Sequence, residues 1–400
     1  MMDDESSDLP PTFVEGFHDL EAVRRMEYRR LGSTPFLVSI MSLGASALGN
    51  LYGGETNEEE AVQMVVKAVK SGINLIDVAP WYGFTKAESV LGKALQQIPR
   101  EAYYLSSKVG RYRPEVLQMF DFSYERTVES VSESLARLHV DKLDIVIVHD
   151  IEFCADVNII HNETIPALLH LRQQQKVDKI GISGYPLDRF IQFIQHYEHS
   201  SCSSQAEEAE KFQLDLVLSY CRCILSDTSL LDQLPFFKQH NIGVINASPI
   251  GMGLFTERGP PVWHPAKASL KAVAKEAVEE CKKEGEEVKL PKLALYFTLS
   301  RSELTTTLVS CETVAQLQDN LDLCWFVVRE NRKKKEEGRE MEEEEDQVFT
   351  KKDRRVLQLL RENYLEPLGN CHWEGDELQK YRTKFEKALK EKADKAKNAE

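Results

Sequence analysis

Four residues able to carry or orient a proton stand apart in the first half of the chain: Asp77, Tyr82, Lys108 and His149. Interconverting a carbonyl and an alcohol needs a proton relay at the oxygen while hydride moves at the carbon. A free tyrosine titrates near about 10, so an unassisted phenol keeps its proton at neutral pH. A lysine cation beside Tyr82 favours the phenolate. The phenol then becomes a better acid for reduction, and its anion a usable base for oxidation. In such a set Asp77 pairs with Lys108 and holds it in place. His149 hydrogen-bonds the substrate oxygen and orients it. The hydride itself calls for a nicotinamide. No Cys or His cluster has zinc spacing, so no metal is expected.

These residues need elements to position them. Asp77, Lys108 and His149 each end a short apolar run, at 74–77, 103–108 and 145–149. Further runs occur at 40–44, 179–183, 214–219, 243–248 and 307–311. Most are β-branched or aliphatic with little strict alternation, as in parallel strands buried on both faces. Amphipathic stretches lie between them. One is Glu58–Lys70, with Ala61, Val62, Val65, Val66 and Val69 apolar and Ser71-Gly72 as its stop. Another is Tyr124–Leu138, with Val128, Val131, Leu135 and Leu138 on one face. Eight strand–helix units predict an α/β fold, a closed (β/α)8 TIM barrel. No G-x-G-x-x-G or P-loop occurs, which argues against an open doubly wound sheet. The four residues then meet at the C-terminal rim, where barrel enzymes carry their sites.

Three regions are expected: a flexible polar leader (1–25), the barrel (26–325) and a charged, partly helical tail (326–400). Within the tail, 356–360 and 364–368 hold apolar residues suited to docking back on the barrel. Residues 197–212 read as a polar surface loop with a helical end. The formal net charge of -15 argues against nucleic acid or an anionic membrane as partner. The N-terminus is acidic and has no apolar signal core. No apolar stretch reaches the roughly 18 residues of a membrane helix. Eight cysteines without a Cys-x-x-Cys read as free thiols in a reducing compartment. Together these place the chain in the cytoplasm. With no coiled-coil heptad and no long exposed apolar stripe, a monomer is expected.

The segments 76–83 and 88–95 resemble the signature of the aldo-keto reductase family, and 107–109, 144–149 and 179–183 continue it in the family's order. The resemblance implies that Asp77, Tyr82, Lys108 and His149 are the catalytic tetrad and that the cofactor is NAD or NADP. It places Ser183 against the nicotinamide carboxamide, followed by Gly184 where Asn is frequent. Ser219 stands where Gln or Asn is frequent. Ser248, Pro249, Ile250 and Gly251 match the loop over the pyrophosphate. Ala247 replaces a frequent stacking aromatic, which leaves Tyr220 to stack or stacking absent. Asp319 and Asn320 match adenine contacts. NADP-specific members carry Lys and Arg where this chain has Ser310 and Gln316, and a 2′-phosphate needs such cations. The expected cofactor is therefore NAD.

Segments 218–221, 246–254 and, more weakly, 373–375 are similar to the L-galactose and D-arabinose dehydrogenase branch of that family. That likeness implies oxidation of an aldose at C1 to its lactone. Two alternatives remain open. One is a general NAD(P)H-dependent carbonyl reductase of small molecules. The other is a redox-sensing regulatory subunit that uses the charged tail as its contact surface. Loops 49–54, 111–121, 151–160 and 254–265 are the expected substrate contacts, with Trp81 as either a substrate-packing or a rim residue.

Overall fold

The computed structural model describes residues 9–52, 57–201, 212–337 and 346–397. A hairpin, β1 (Tyr28–Arg30) and β2 (Leu37–Ser39), precedes eight parallel strands. These are β3 (Met41–Gly44), β4 (Leu75–Asp77), β5 (Tyr104–Val109) and β6 (Leu143–Val148). They continue with β7 (Val177–Gly184), β8 (Leu216–Tyr220), β9 (Gly243–Ala247) and β10 (Thr306–Val309). Each pairs with the next, and β10 pairs back to β3 with Thr307 opposite Met41, so the sheet closes. The fold is the expected TIM barrel.

Polar groups sew the closing seam. The hydroxyls of Ser42 and Thr306 lie 2.6 Å apart, and those of Ser46 and Ser310 lie 2.8 Å apart. Inside the barrel, Leu75, Ile145, Ile147, Leu216, Leu218, Ile245 and Leu308 form one core. Leu31, Phe36 and Val38 of the hairpin belong to the same cluster and plug its lower end. A larger core fills the space between strands and helices.

The helices begin where local chemistry dictates. Asn57 accepts from the Glu59 and Glu60 amides at 3.0 and 3.2 Å and caps Glu58–Lys70. Ser123 caps Tyr124–Leu138 in the same way.

Several regions differ from the sequence expectation. Residues 9–25 pack on the barrel: Asn74 Nδ2 donates to Thr12 Oγ1 at 2.9 Å, and Leu20–Arg25 is a helix. The expected loop beginning at 197 opens as the end of the helix Leu187–Ser201, while 202–211 lie outside the described residues. The boundary expected at 325/326 falls inside one continuous helix, Val314–Glu337. The tail then returns to the barrel. Val356, Leu357 and Leu360 of the helix Lys351–Leu360 are buried, and Phe349 stacks on Tyr296 at 3.7 Å. A last helix, Asp376–Lys397, crosses the barrel mouth. No described helix is long and apolar enough to cross a membrane.

Candidate active site

The end of β4 sets Asp77 opposite Ser106 of β5, whose hydroxyl donates to Asp77 Oδ2 at 2.8 Å. Lys108, two residues further along β5, points the same way. Its ammonium donates to Asp77 Oδ1 and, at 3.1 Å, to the Val78 carbonyl. Both ends of this ion pair are buried.

Tyr82 is delivered by a tight loop. Its amide donates to the Ala79 carbonyl at 3.1 Å, and its own carbonyl accepts from Ala87, the start of the next helix. That loop lies against the backbone of Gly49. A Cβ on Gly83, whose φ is +62°, would sit 2.3 Å from the Gly49 carbonyl oxygen. A Cβ on Gly49 would sit 2.6 Å from the Tyr82 carbonyl carbon. Neither position tolerates a side chain. The following helix, Lys86–Leu95, is tied down by Glu88, whose buried carboxylate accepts from Ser107 and Arg137, each at 2.7 Å.

His149 follows β6 and meets Tyr82 edge-on, with ring centroids 5.9 Å apart. The Lys108 ammonium lies 5.0 Å from the Tyr82 ring centroid. The structure thus brings Asp77, Tyr82, Lys108 and His149 together on one cavity wall.

The electrostatics differ from the sequence expectation at Tyr82. Burial raises the phenol well above its usual value, and the carboxylates of Asp77 and Asp150 add to this against Arg111. With Lys108 committed to Asp77, the phenol keeps its proton firmly. Burial also lowers His149 to about 3, so its ring is neutral. Its Nε2 lies 3.6 Å from Asp150 Oδ2, while Nδ1 is buried without a partner. A neutral imidazole of this kind has one N–H to offer a substrate oxygen.

The cavity holds about 1560 Å³. A single small-molecule pocket is typically about 300–1,000 Å³, so this one has room for a cofactor and a substrate together. From the tetrad it runs past Ser183, Tyr220 and Ala247 to Ser248, Pro249 and Ile250, and on to Ser310, Gln316, Asp319 and Asn320. All these expected cofactor residues line it.

Two do not. Ser219 is a correction: Leu218 and Tyr220 face the cavity, so Ser219, between them on β8, faces away. It is fully buried, with its hydroxyl unpartnered. Gly251 lies behind the wall, where its carbonyl accepts from His264 Nε2 at 2.9 Å. Ser183 Oγ is engaged, accepting from the Asp150 amide at 3.3 Å. Ser310 bonds Ser46, and Gln316 Oε1 accepts from the Glu312 amide at 2.8 Å. Asn320 Nδ2 lies 3.2 Å from Cys311 Sγ. This end of the cavity also holds Arg258, whose guanidinium lies 3.4 Å from Glu312.

The wall also holds Arg111, from the expected loop 111–121, and residues of the last helix that the sequence reading did not name. Arg111 lies flat over Trp81, 4.1 Å from its centroid, and donates to Asp150 Oδ2 at 2.6 Å. Trp81 therefore lines the cavity as the shelf for that cation. Glu377, Lys380, Tyr381 and Lys384 reach the cavity from the last helix. The tail that carries them is anchored by Trp373, which is buried, stacks on Tyr185 at 4.8 Å and meets His264 edge-on at 5.2 Å. Its apolar segments and the 373–375 likeness were the sequence signals for it.

A buried Lys–Asp pair, a phenol and a neutral imidazole thus meet at the rim of a parallel barrel. The sequence model of the aldo/keto reductase family matches residues 40–337. The chain is 42% identical to L-galactose dehydrogenase of Arabidopsis thaliana over 299 residues, covering 74% of this chain and 88% of that one. It is 31% identical to D-arabinose 1-dehydrogenase of Saccharomyces cerevisiae over 273 residues, 66% of this chain and 76% of that one. An aldo-keto reductase of Bacillus halodurans superposes with a TM-score of 0.58 at 21% identity, covering 84% of this chain and 96% of that one, a likeness of fold. The protein belongs to the aldo-keto reductase family and is an oxidoreductase, with the nicotinamide cofactor that family uses.

Proposed function

We propose that the protein oxidises an aldose at C1 to the lactone, with NAD as acceptor. The observation that carries this reading is the 42% identity to a sugar dehydrogenase across most of both chains, joined to a cavity that brings the four residues together. The nicotinamide, when bound, accepts the hydride from C1. The protein's part is the proton. Tyr82, in its phenolate form, takes it from the anomeric hydroxyl as the C1=O bond forms and becomes the neutral phenol, while His149 holds that oxygen by hydrogen bond. Lys108, fixed by Asp77, supplies the positive field beside the phenolate.

Ser183, Tyr220 and the 248–250 loop would hold the cofactor, with Tyr220 supplying the stacking surface that Ala247 lacks. Ser310 and Gln316 themselves offer no cation to a 2′-phosphate, which supports NAD over NADP. The cavity is also lined by Arg258, which shares its charge with Glu312, by Lys292, which bonds Asp353, and by Lys289.

A second reading, a carbonyl reductase, draws on one observation. The Tyr82 phenol is held in its protonated form, the form from which a general acid starts. Kinetics separate the two. Purified protein is offered a panel of aldoses with NAD or NADP, and simple aldehydes with NADH or NADPH. Under the first reading aldoses turn over with NAD, and the rate climbs with pH because the phenolate fraction rises. Silence with every sugar alongside brisk NADPH-dependent aldehyde reduction establishes the second. In either case Tyr82→Phe lowers kcat by about 10²–10⁴ and leaves cofactor affinity nearly unchanged, since it removes the acid–base group alone.

A further inference from the structure

The helix Asp376–Lys397 lies outside the residues matched by the family model, yet it closes one side of the cavity. It is fixed on both sides of Glu377. Before it, Trp373 is buried against Tyr185, and Glu374 lies 3.6 Å from Arg222. After it, Tyr381 packs edge-on against Phe120 at 5.2 Å and Phe153 at 5.3 Å. Glu377, in the first turn, is therefore held in place over the cavity.

Its neighbours define the chemistry. Arg111 is the inner cation of this half of the cavity, and its hydrogen bond goes to Asp150. Glu377 senses Arg111 electrostatically but accepts no hydrogen bond from any described residue. Burial has already raised its carboxyl, so it lacks the donors a shielded carboxylate needs. Two carboxylates share one guanidinium here, and the adjacent His149 is neutral. Lys380, one turn further along the same helix, also faces Glu377 electrostatically, and the Glu377 carboxyl remains the unserved acceptor of this half.

We propose that Glu377 is a substrate-specificity residue, whose carboxylate accepts hydroxyl hydrogen bonds from a neutral polyhydroxylated substrate and disfavours anionic or hydroxyl-free ones. The proposal rests on the sugar reading above and deepens it. A hydroxyl donating to a carboxylate makes a charge-assisted bond, strong enough for discrimination. A sugar acid or sugar phosphate meets like charge instead.

The test is steady-state kinetics on the full chain, comparing Glu377→Gln and Glu377→Asp with wild type. Glu377→Gln is expected to raise KM for a neutral aldose about tenfold, with kcat less affected, as the loss of one charged hydrogen bond implies. A hydroxyl-free aldehyde should change less than about twofold, and discrimination against the matching uronate should narrow. Glu377→Asp, which keeps the charge on a shorter arm, should fall between. Equal losses on hydroxylated and hydroxyl-free substrates, or no loss on either, overturn the proposal. If wild type oxidises no aldose, the sugar reading fails by itself. NADH-dependent reduction of glyceraldehyde against propionaldehyde then reports on Glu377 alone.

Discussion

Glu152 lies three residues beyond His149, and its carboxyl occupies space that another residue has vacated. Its Oε1 accepts from the Tyr185 amide at 2.9 Å, while Oε2 is buried without a partner. A Cβ on Gly184 would sit 2.5 Å from that Oε2. The glycine at 184 and the glutamate at 152 are thus one arrangement. Burial and the neighbouring Asp150 push the Glu152 carboxyl far above the ordinary carboxylate range. The folded state then binds this proton more tightly than the unfolded chain does. Its contribution to stability is complete at low pH and is lost as pH rises through the raised folded value. Glu152→Gln removes that loss. Thermal unfolding of both proteins between pH of about 5 and about 9 should show the variant gaining on wild type as pH rises. A constant gap would mean that the folded carboxyl is already charged. His149, shifted the other way, costs stability as pH falls below its ordinary value towards about 3. The meeting of Asp77, Tyr82, Lys108 and His149 was legible because such types are unusual at or just beyond the ends of apolar strands. Ser219 was misread because a one-residue phase along β8 decides whether a side chain enters the cavity. Glu152 gave no signal, since its role depends on a glycine 32 positions later.

The barrel strands and the helices Glu58–Lys70 and Tyr124–Leu138 were readable because each carries its own local pattern. Glu58–Lys70 has both its cap and its Ser71-Gly72 terminus in local sequence. The β1–β2 hairpin was not, and the tail's docking was readable only as apolar segments, because each is stabilised by residues far along the chain. Trp373 owes its burial to Tyr185 and His264. The Tyr82 loop lies between these cases. Gly83 is visible in the motif, but its reason, the backbone of Gly49, is seen only in three dimensions. Gly83→Ala forces a Cβ into that backbone at positive φ, and strain of this kind costs about 1–3 kcal/mol. A fold of this size should survive it, so the expected signature is a large fall in kcat with a modest fall in melting temperature. Unchanged turnover would show that the loop does not need the clamp to present Tyr82.

Across the whole molecule the long-range pairing at the seam has its own consequence. Ser42 and Thr306, which meet there, are 264 residues apart in sequence. Loop closure on that scale must precede the contacts that reward it, which makes such topologies slow to form. On the ribosome, the first barrel strand must wait unpaired on one edge until the eighth has been made. Through most of synthesis β3 is an exposed strand edge of the sort that invites pairing with other chains. Nascent chains arrested with Ser300 clear of the exit tunnel should remain open to protease, and those arrested with Glu337 clear should resist it. Early resistance would mean that the half-built sheet is already stable. If the expected order holds, translation speed and chaperone supply, more than the final stability of the barrel, set how much of this protein a cell obtains.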